Sequence, residues 1–269
     1  MTHSNKSNNS SNSDIFVLIP AYNEAATIRD MVERALKIVP NVIVVDDGSA
    51  DATAVQLTGL PITVLRNERN LGKAASLWKG FDHAMARGAQ AVVTLDGDGQ
   101  HSPEDIGRLL AASRRFPDSI VIGARLHDKQ NFPPRRYYAN QFARFWISWA
   151  AGYPIADTQS GFRIYPVMLL RRLTQRDVSW NGFVFESEIL IAAGAIGVQS
   201  VAVPIPGIYP KLARASHFRP VQDIARIVLM VAGRLLKRGM YPRGLWRSLK
   251  SPARIEVTPK FSGMSDLPD

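Results

Sequence analysis

Asp96 and Asp98 stand two residues apart in Leu95-Asp96-Gly97-Asp98-Gly99-Gln100-His101, each followed by glycine. Past a strand end the backbone bends, so carboxylates at this spacing can converge on one oxygen-seeking cation. Gly97 and Gly99 leave room for a bulky ligand and permit backbone angles that other residues resist. Mg²⁺ or Mn²⁺, held by one or two carboxylates with phosphate oxygens completing its shell, suits such a pair. An Asp-x-Asp alone reads equally well as a solvated acidic turn. Its setting argues for chemistry: the apolar, β-branched run Ala91-Val92-Val93-Thr94 predicts a buried strand before it. Ser102-Pro103-Glu104-Asp105 predicts a helix start after it, with Ser102 as N-cap and Pro103 in the first helical position.

The elements that must position this pair follow from hydrophobic periodicity. Strands are expected at 15–20, 42–45, 62–65, 91–95, 120–123 and 199–203, and helices at 27–38, 50–57, 73–87 and from 103. Acidic or turn residues close strand after strand, as in Ala21-Tyr22-Asn23-Glu24 and Asp46-Asp47-Gly48-Ser49. This alternation predicts an α/β fold, a mostly parallel sheet covered on both faces, with ligands beyond the carboxyl ends of its strands. From residue 126 the alternation loosens: an aromatic-rich helix is expected over 137–151, a loop over 153–161, and helices over 165–173 and up to 195.

The chain has 269 residues, 46% of them hydrophobic, enough for one sizeable core, and no cysteine, which excludes disulfides and thiolate metal sites. Residues 1–13 read as a disordered Ser/Asn-rich tail without a signal-peptide core, and no apolar run is long enough to span a bilayer. Residues 1–120 carry a net charge of −2 and residues 121–269 a net charge of +12. A basic C-terminal half implies an anionic partner. Because the basic residues alternate with apolar runs, phosphate groups and an anionic membrane surface are expected, and nucleic acid is not.

Taken in order, these pieces resemble the family 2 glycosyltransferases, inverting enzymes of GT-A fold, and among them the polyprenyl-phosphate (dolichol-phosphate) sugar transferases. Four blocks carry the resemblance: Ile19-Pro20-Ala21-Tyr22-Asn23-Glu24, Val44-Val45-Asp46-Asp47-Gly48-Ser49, the 95–101 stretch, and Asp157-Thr158-Gln159-Ser160-Gly161-Phe162-Arg163. The resemblance implies a nucleotide-diphospho-sugar donor bound by Pro20, Ala21, Tyr22, Glu24, Asp47, Lys73, Asp96 and Arg125. It implies a Mg²⁺ or Mn²⁺ ion on Asp96, Asp98 and Gln100, placing Asp98 in the catalytic set beside a candidate base, Glu188 or Asp157, with Glu186 the lesser alternative. A hydroxyl acceptor needs such a base, whereas a lipid phosphate is already anionic. Arg135, Arg136, Ser160, Gly161, Arg163, Lys211, Arg214 and His217 are expected around the acceptor or its phosphate. Relatives that use polyprenyl phosphate carry an arginine five residues after Pro-Ile, then Ser-Lys. Here Pro204-Ile205 is followed by Lys211, Arg214 and Ser216-His217, so the acceptor stays open between lipid phosphate and lipid hydroxyl.

The expected organisation is a catalytic domain over 14–218, with a donor-binding half to 125 and an acceptor half from 126. An amphipathic basic helix over 219–250 and a tail over 251–269 follow. That helix either lies on a membrane surface or packs on the core; the expectation is a cytoplasmic protein peripheral to the inner face of the cell membrane. Two other functions fit parts of the pattern, a sugar-1-phosphate nucleotidyltransferase and a non-catalytic nucleotide-sugar-binding protein.

Overall fold

A computed structural model describes residues 12–126, 134–173, 184–206 and 220–257, without the side chains of 134–139 and 220–226. Seven strands form one sheet: β1 (Ile15–Ala21), β2 (Asn41–Asp46), β3 (Thr63–Arg66), β4 (Ala91–Thr94), β5 (Ile120–Ala124), β6 (Arg163–Pro166) and β7 (Ser200–Pro204). Their order is β3-β2-β1-β4-β6-β5-β7, and only β6 runs antiparallel, between β4 and β5. The mostly parallel sheet is as expected, but β6 is not among the predicted strands: it begins after the expected loop over 153–161 and takes the first residues of the helix expected over 165–173. Four residues that start in Arg163 and end in Pro166 give too short an alternation to read as a strand.

Side chains alternate between two cores. Val17, Ile19, Val42, Val44, Val93 and Ile164 face α1 (Ile28–Leu36) and α4 (Ile106–Arg115). Leu18, Ile43, Val45, Val92 and Ile122 face α3 (Lys73–Ala86), α5 (Pro134–Ala151) and α7 (Phe185–Ala195). Two short helices, α2 (Thr53–Gln56) and α6 (Val167–Arg172), follow β2 and β6. Ahead of α4, residues Pro103–Asp105 form a 3₁₀ turn, and Ser102 does not cap it; its hydroxyl bonds Glu104 instead.

The basic C-terminal segment is two helices rather than one, α8 (Pro220–Lys237) and α9 (Pro242–Lys250). Met240 and Tyr241 take positive φ values of 59° and 42° at the break, and Pro242 suits only a helix start. Ile227, Val231 and Leu235 of α8 lie in the second core, one turn apart. The outermost described residues are also tied down. Asn12 is buried and bonds Ile38 and Arg114, while residues 254–256 pair with Ala202 beside β7.

Candidate functional site

Four strand ends and the turns after them meet at one edge of the sheet. The turn after β1 is knitted to the turn after β2. Asn23, at φ 57°, receives a hydrogen bond from the Ala50 amide, donates its own amide to the Ser49 hydroxyl, and Glu24 N–H reaches Thr53. Pro20 and Ala21 end β1 in register with Val45 and Asp46, which fixes where Tyr22 and Glu24 emerge. Asp47 is buried, and its carboxylate accepts the Asn67 side chain at 2.7 Å and the amides of Leu71 and Gly72 at 2.9 and 2.8 Å. That carboxylate therefore builds the entry to α3, setting Gly72 at φ 92° and Lys73 at the first helical position.

Lys73 is the centre of the site. Its Nζ lies 2.6 Å from Asp96 Oδ1 and 2.7 Å from Glu186 Oε1. Burial opposes the Lys73 charge, but the two carboxylates outweigh it and hold the amine above its ordinary pKa. The same pairing keeps Asp96 ionised against its burial. Gly161 presses on this pair: a Cβ there would stand 2.5 Å from Asp96 Oδ2 and 2.8 Å from Lys73 Nζ, so only glycine admits the arrangement. Thr94 donates to the Gly161 carbonyl at 2.7 Å, locking that loop to β4.

Asp98 sits on the same turn and is raised above the usual carboxylate range, first by burial and then by the Asp96 charge. Gln100 steadies it twice, through its backbone N–H at 3.0 Å and its side-chain amide at 2.7 Å. Thr27 donates to the Gly97 carbonyl at 2.6 Å, and Gly99 takes φ 74°, so the turn is held from α1. Behind it, His101 is buried against Phe162, and burial lowers its pKa to about 4, leaving it neutral near pH 7.

The expected acceptor residues divide. Asp157 closes its own turn: its Oδ1 accepts the amides of Gln159 and Ser160, and its Oδ2 faces the Arg125 amide at 3.5 Å. Arg125 is half-exposed at the end of β5 and contributes its positive charge to Asp96 and Asp98. Arg163 departs from the phosphate-gripping role expected of it. Its side chain is fully buried, and the guanidinium donates to the carbonyls of Ser160, Glu186 and Thr158 at 2.7, 2.7 and 3.1 Å. Those bonds join the 157–161 loop to the first turn of α7, with Ser160 itself buried. Glu188 is buried on α7, while Glu186, the lesser candidate in the sequence, is the acid in contact with Lys73. Arg135 and Arg136 lie on α5 with side chains outside the description, and Lys211, Arg214 and His217 lie outside the described residues.

A model described as glycosyl transferase family 2 matches residues 16–174, more than half of the chain. This chain belongs to glycosyl transferase family 2. It is accordingly a glycosyltransferase of GT-A fold, and family membership decides for glycosyl transfer over nucleotidyl transfer. Polyprenol monophosphomannose synthase of Mycolicibacterium smegmatis is 32% identical over 200 residues, which cover 70% of this chain and 75% of that protein. UDP-N-acetylglucosamine–dolichyl-phosphate N-acetylglucosaminyltransferase of Methanococcus voltae is 28% identical over 222 residues, covering 75% and 88%. Among solved structures, glucosyl-3-phosphoglycerate synthase from Mycobacterium tuberculosis, in complex with Mn²⁺, uridine diphosphate and phosphoglyceric acid, superposes with a TM-score of 0.61 at 22% identity. It covers 85% of this chain and 79% of its own. At that identity the likeness speaks for the fold.

A divalent ion suits the residues that this family 2 enzyme presents. Asp96, Asp98 and Gln100 offer oxygen donors, the set that hard cations take. Burial and, after it, repulsion from Asp96 raise Asp98, and a divalent charge beside the two acids would relieve the second. Among the described residues no group of three or more His, Cys, Asp or Glu could hold a metal.

Proposed function

We propose that this glycosyltransferase is an inverting enzyme that moves a sugar from a nucleoside-diphosphate donor to a lipid-linked acceptor, polyprenyl phosphate first among them, with Mg²⁺ or Mn²⁺ on Asp96 and Asp98. One observation carries the reading: two acids close β4 at the edge where the turns after β1, β2 and β5 converge, with Lys73 and Arg125 as the cations beside them. The relatives named above act on polyprenol and dolichyl phosphate, which supports the acceptor class.

The bound ion would supply Lewis-acid stabilisation of the departing diphosphate. The chain's own residues do the rest. Asp47 shapes the loop that presents Lys73, and the turns at 20–24 and 46–49 form the wall assigned to the nucleoside. Lys73 and Arg125 add positive charge where the diphosphate leaves. Asp157, with Oδ1 committed to two amides, orders the acceptor loop more readily than it takes a proton. A lipid phosphate brings its own anionic oxygen and needs no base; with a hydroxyl acceptor, Glu186 or Glu188 would serve.

The acceptor's apolar part has a fitting surface. Phe142, Ala143 and Trp146 of α5 and Ile227, Val228, Val231 and Ala232 of α8 line an apolar groove of about 220 Å³. Both helices follow strands, β5 and β7, whose carboxyl ends lie at the active edge. The proposed attachment is peripheral, at the inner face of the cell membrane; no helix among the described residues is long and apolar enough to cross a membrane.

The test is to offer nucleotide-sugars and polyprenyl phosphate with Mn²⁺, and to measure nucleoside diphosphate release and glycolipid formation. Asp96→Asn/Asp98→Asn should fall about a hundredfold or more while remaining folded. Full activity in that variant, or release of pyrophosphate, would sink the reading.

A further inference from the structure

The Lys73 ammonium occupies one oxygen of the carboxylate that the proposed ion needs. Its Nζ is 2.6 Å from Asp96 Oδ1, and the other Asp96 oxygen lies where a Cβ on Gly161 would stand 2.5 Å away. A dication on Asp96 would meet the lysine charge within a few ångströms, in a site that is only partly open to water. Glu186 Oε1, 2.7 Å from the same Nζ, gives the ammonium a second partner that is not an expected ion ligand. Glu186 is itself fixed, because Arg163 donates to its backbone carbonyl at 2.7 Å. The lysine arm has rotatable bonds enough to leave Asp96 without leaving Glu186.

Local preference makes the placement more telling. A cation at the first position of a helix opposes the helix dipole. Lys73 starts the 14-residue α3, after a Gly72 with positive φ that Asp47 holds in place. A cation set against the local rule, yet paired with two acids, marks a position selected for the site rather than for the helix.

We propose that Lys73 is a tethered counter-cation that holds Asp96 until the donor arrives, with Glu186 as its alternative resting point, so that the divalent ion and the nucleotide diphosphate bind in concert. Before the donor binds, Lys73 neutralises Asp96 and competes with the ion. The diphosphate brings new negative charge, draws the ammonium off Asp96 and opens that oxygen to the ion. By linkage, the ion must then raise donor affinity by the factor by which the donor raises ion affinity. This inference rests on the ion site proposed above.

Free Mn²⁺ in titrations of the full chain, read by electron paramagnetic resonance with and without uridine diphosphate, tests it without any turnover. Wild type should bind Mn²⁺ weakly alone and about tenfold more tightly with the nucleotide. Lys73→Met should bind Mn²⁺ alone about tenfold more tightly than wild type, and the nucleotide should add little. Lys73→Met/Glu186→Gln removes one charge of each sign, so the local net charge is kept and Asp96 and Glu186 are not left facing each other without a cation. It too should gain Mn²⁺ affinity without nucleotide, because Asp96 is released. A double variant that matches wild type while Lys73→Met gains would reduce the effect to net charge and overturn the proposal. So would unchanged Mn²⁺ affinity in both variants, with wild type still binding Mn²⁺ in the presence of nucleotide. No Mn²⁺ binding by any form, with or without nucleotide, would overturn the ion site as well.

Discussion

Arg163 shows how far one residue's type can mislead about its task. An arginine after Ser-Gly-Phe beside an anion site reads as a phosphate grip, since a guanidinium matches phosphate oxygens in pairs. Instead the side chain is fully buried, and backbone carbonyls of Thr158, Ser160 and Glu186 accept its hydrogen bonds. Arg163 also donates at 3.4 Å to the hydroxyl of Tyr165, whose ring packs edge-on against Phe81. Replacing it with Met would strand three carbonyls in a dry interior and release the first turn of α7. Arg163→Met should cost about 3 kcal/mol or more in urea unfolding. It should also lower activity through Glu186 and Lys73, which lose their fixed separation. A variant as stable as wild type would return Arg163 to the role its type suggests.

At the scale of elements, α1 and the start of α4 are clamped across the turn that carries Asp98. Arg34 of α1 reaches Glu104 with both Nε, at 2.8 Å, and Nη2, at 2.5 Å, and also bonds Asp30 and Ser102. The Arg34 hydrogen bond pulls the Glu104 carboxyl from its ordinary 4.5 down to about 2. A depressed carboxylate stabilises the fold fully above its unfolded pKa and loses that contribution as pH falls through the folded one. The stability difference between wild type and Glu104→Gln should therefore be constant above about pH 4.5 and shrink toward zero near pH 2. Because Glu104 is 55% exposed, the difference should stay below about 1 kcal/mol and weaken with salt. Thermal unfolding of both forms from pH 2 to 7 gives the answer; a gap that widens toward acid would refute the assignment.

The same elements show what the sequence made legible. Parallel strands and their covering helices were readable because β-branched runs and helical periodicity are local signals, and so was the edge where Asp96 and Asp98 lie. The β6 strand was not, since its pairing with β4 and β5 depends on residues about 40 to 75 positions away. The Glu186 contact was hidden for the same reason: α7 and α3 are distant in the chain, and Glu186 and Glu188 differ in sequence only by a two-residue step. On a helix that step turns the side chain through more than half a circle, toward Lys73 for one and away for the other. A lysine opening α3 was the one local irregularity that could have pointed to the pair.

For the whole molecule, the asymmetry of charge becomes an asymmetry of surface. The helices α8 and α9 both pack against α5. Ile227, Val231 and Leu235 are spent on the core, so deleting the C-terminal helices would strip that core and test stability rather than membrane contact. Other apolar residues on the same helices face outward: Leu236, Trp246 and Leu249 are 68%, 61% and 65% exposed. Basic residues stand among them, Lys237, Arg243, Arg247 and Lys250, with Lys250 over the Trp246 ring at 4.4 Å. Apolar side chains that are mostly exposed among cations suit the headgroup boundary of an anionic bilayer, where each nearby Lys or Arg contributes about 1 kcal/mol. Changing Leu236, Trp246 and Leu249 to Glu touches no core contact. The triple variant should keep its melting temperature yet lose about tenfold or more of its binding to anionic vesicles in flotation, and wild-type binding should weaken as salt rises. Equal flotation of the two proteins would remove the membrane from this face. So would a wild-type dimer that the triple variant dissolves, since a second copy of the chain would then be what covers it.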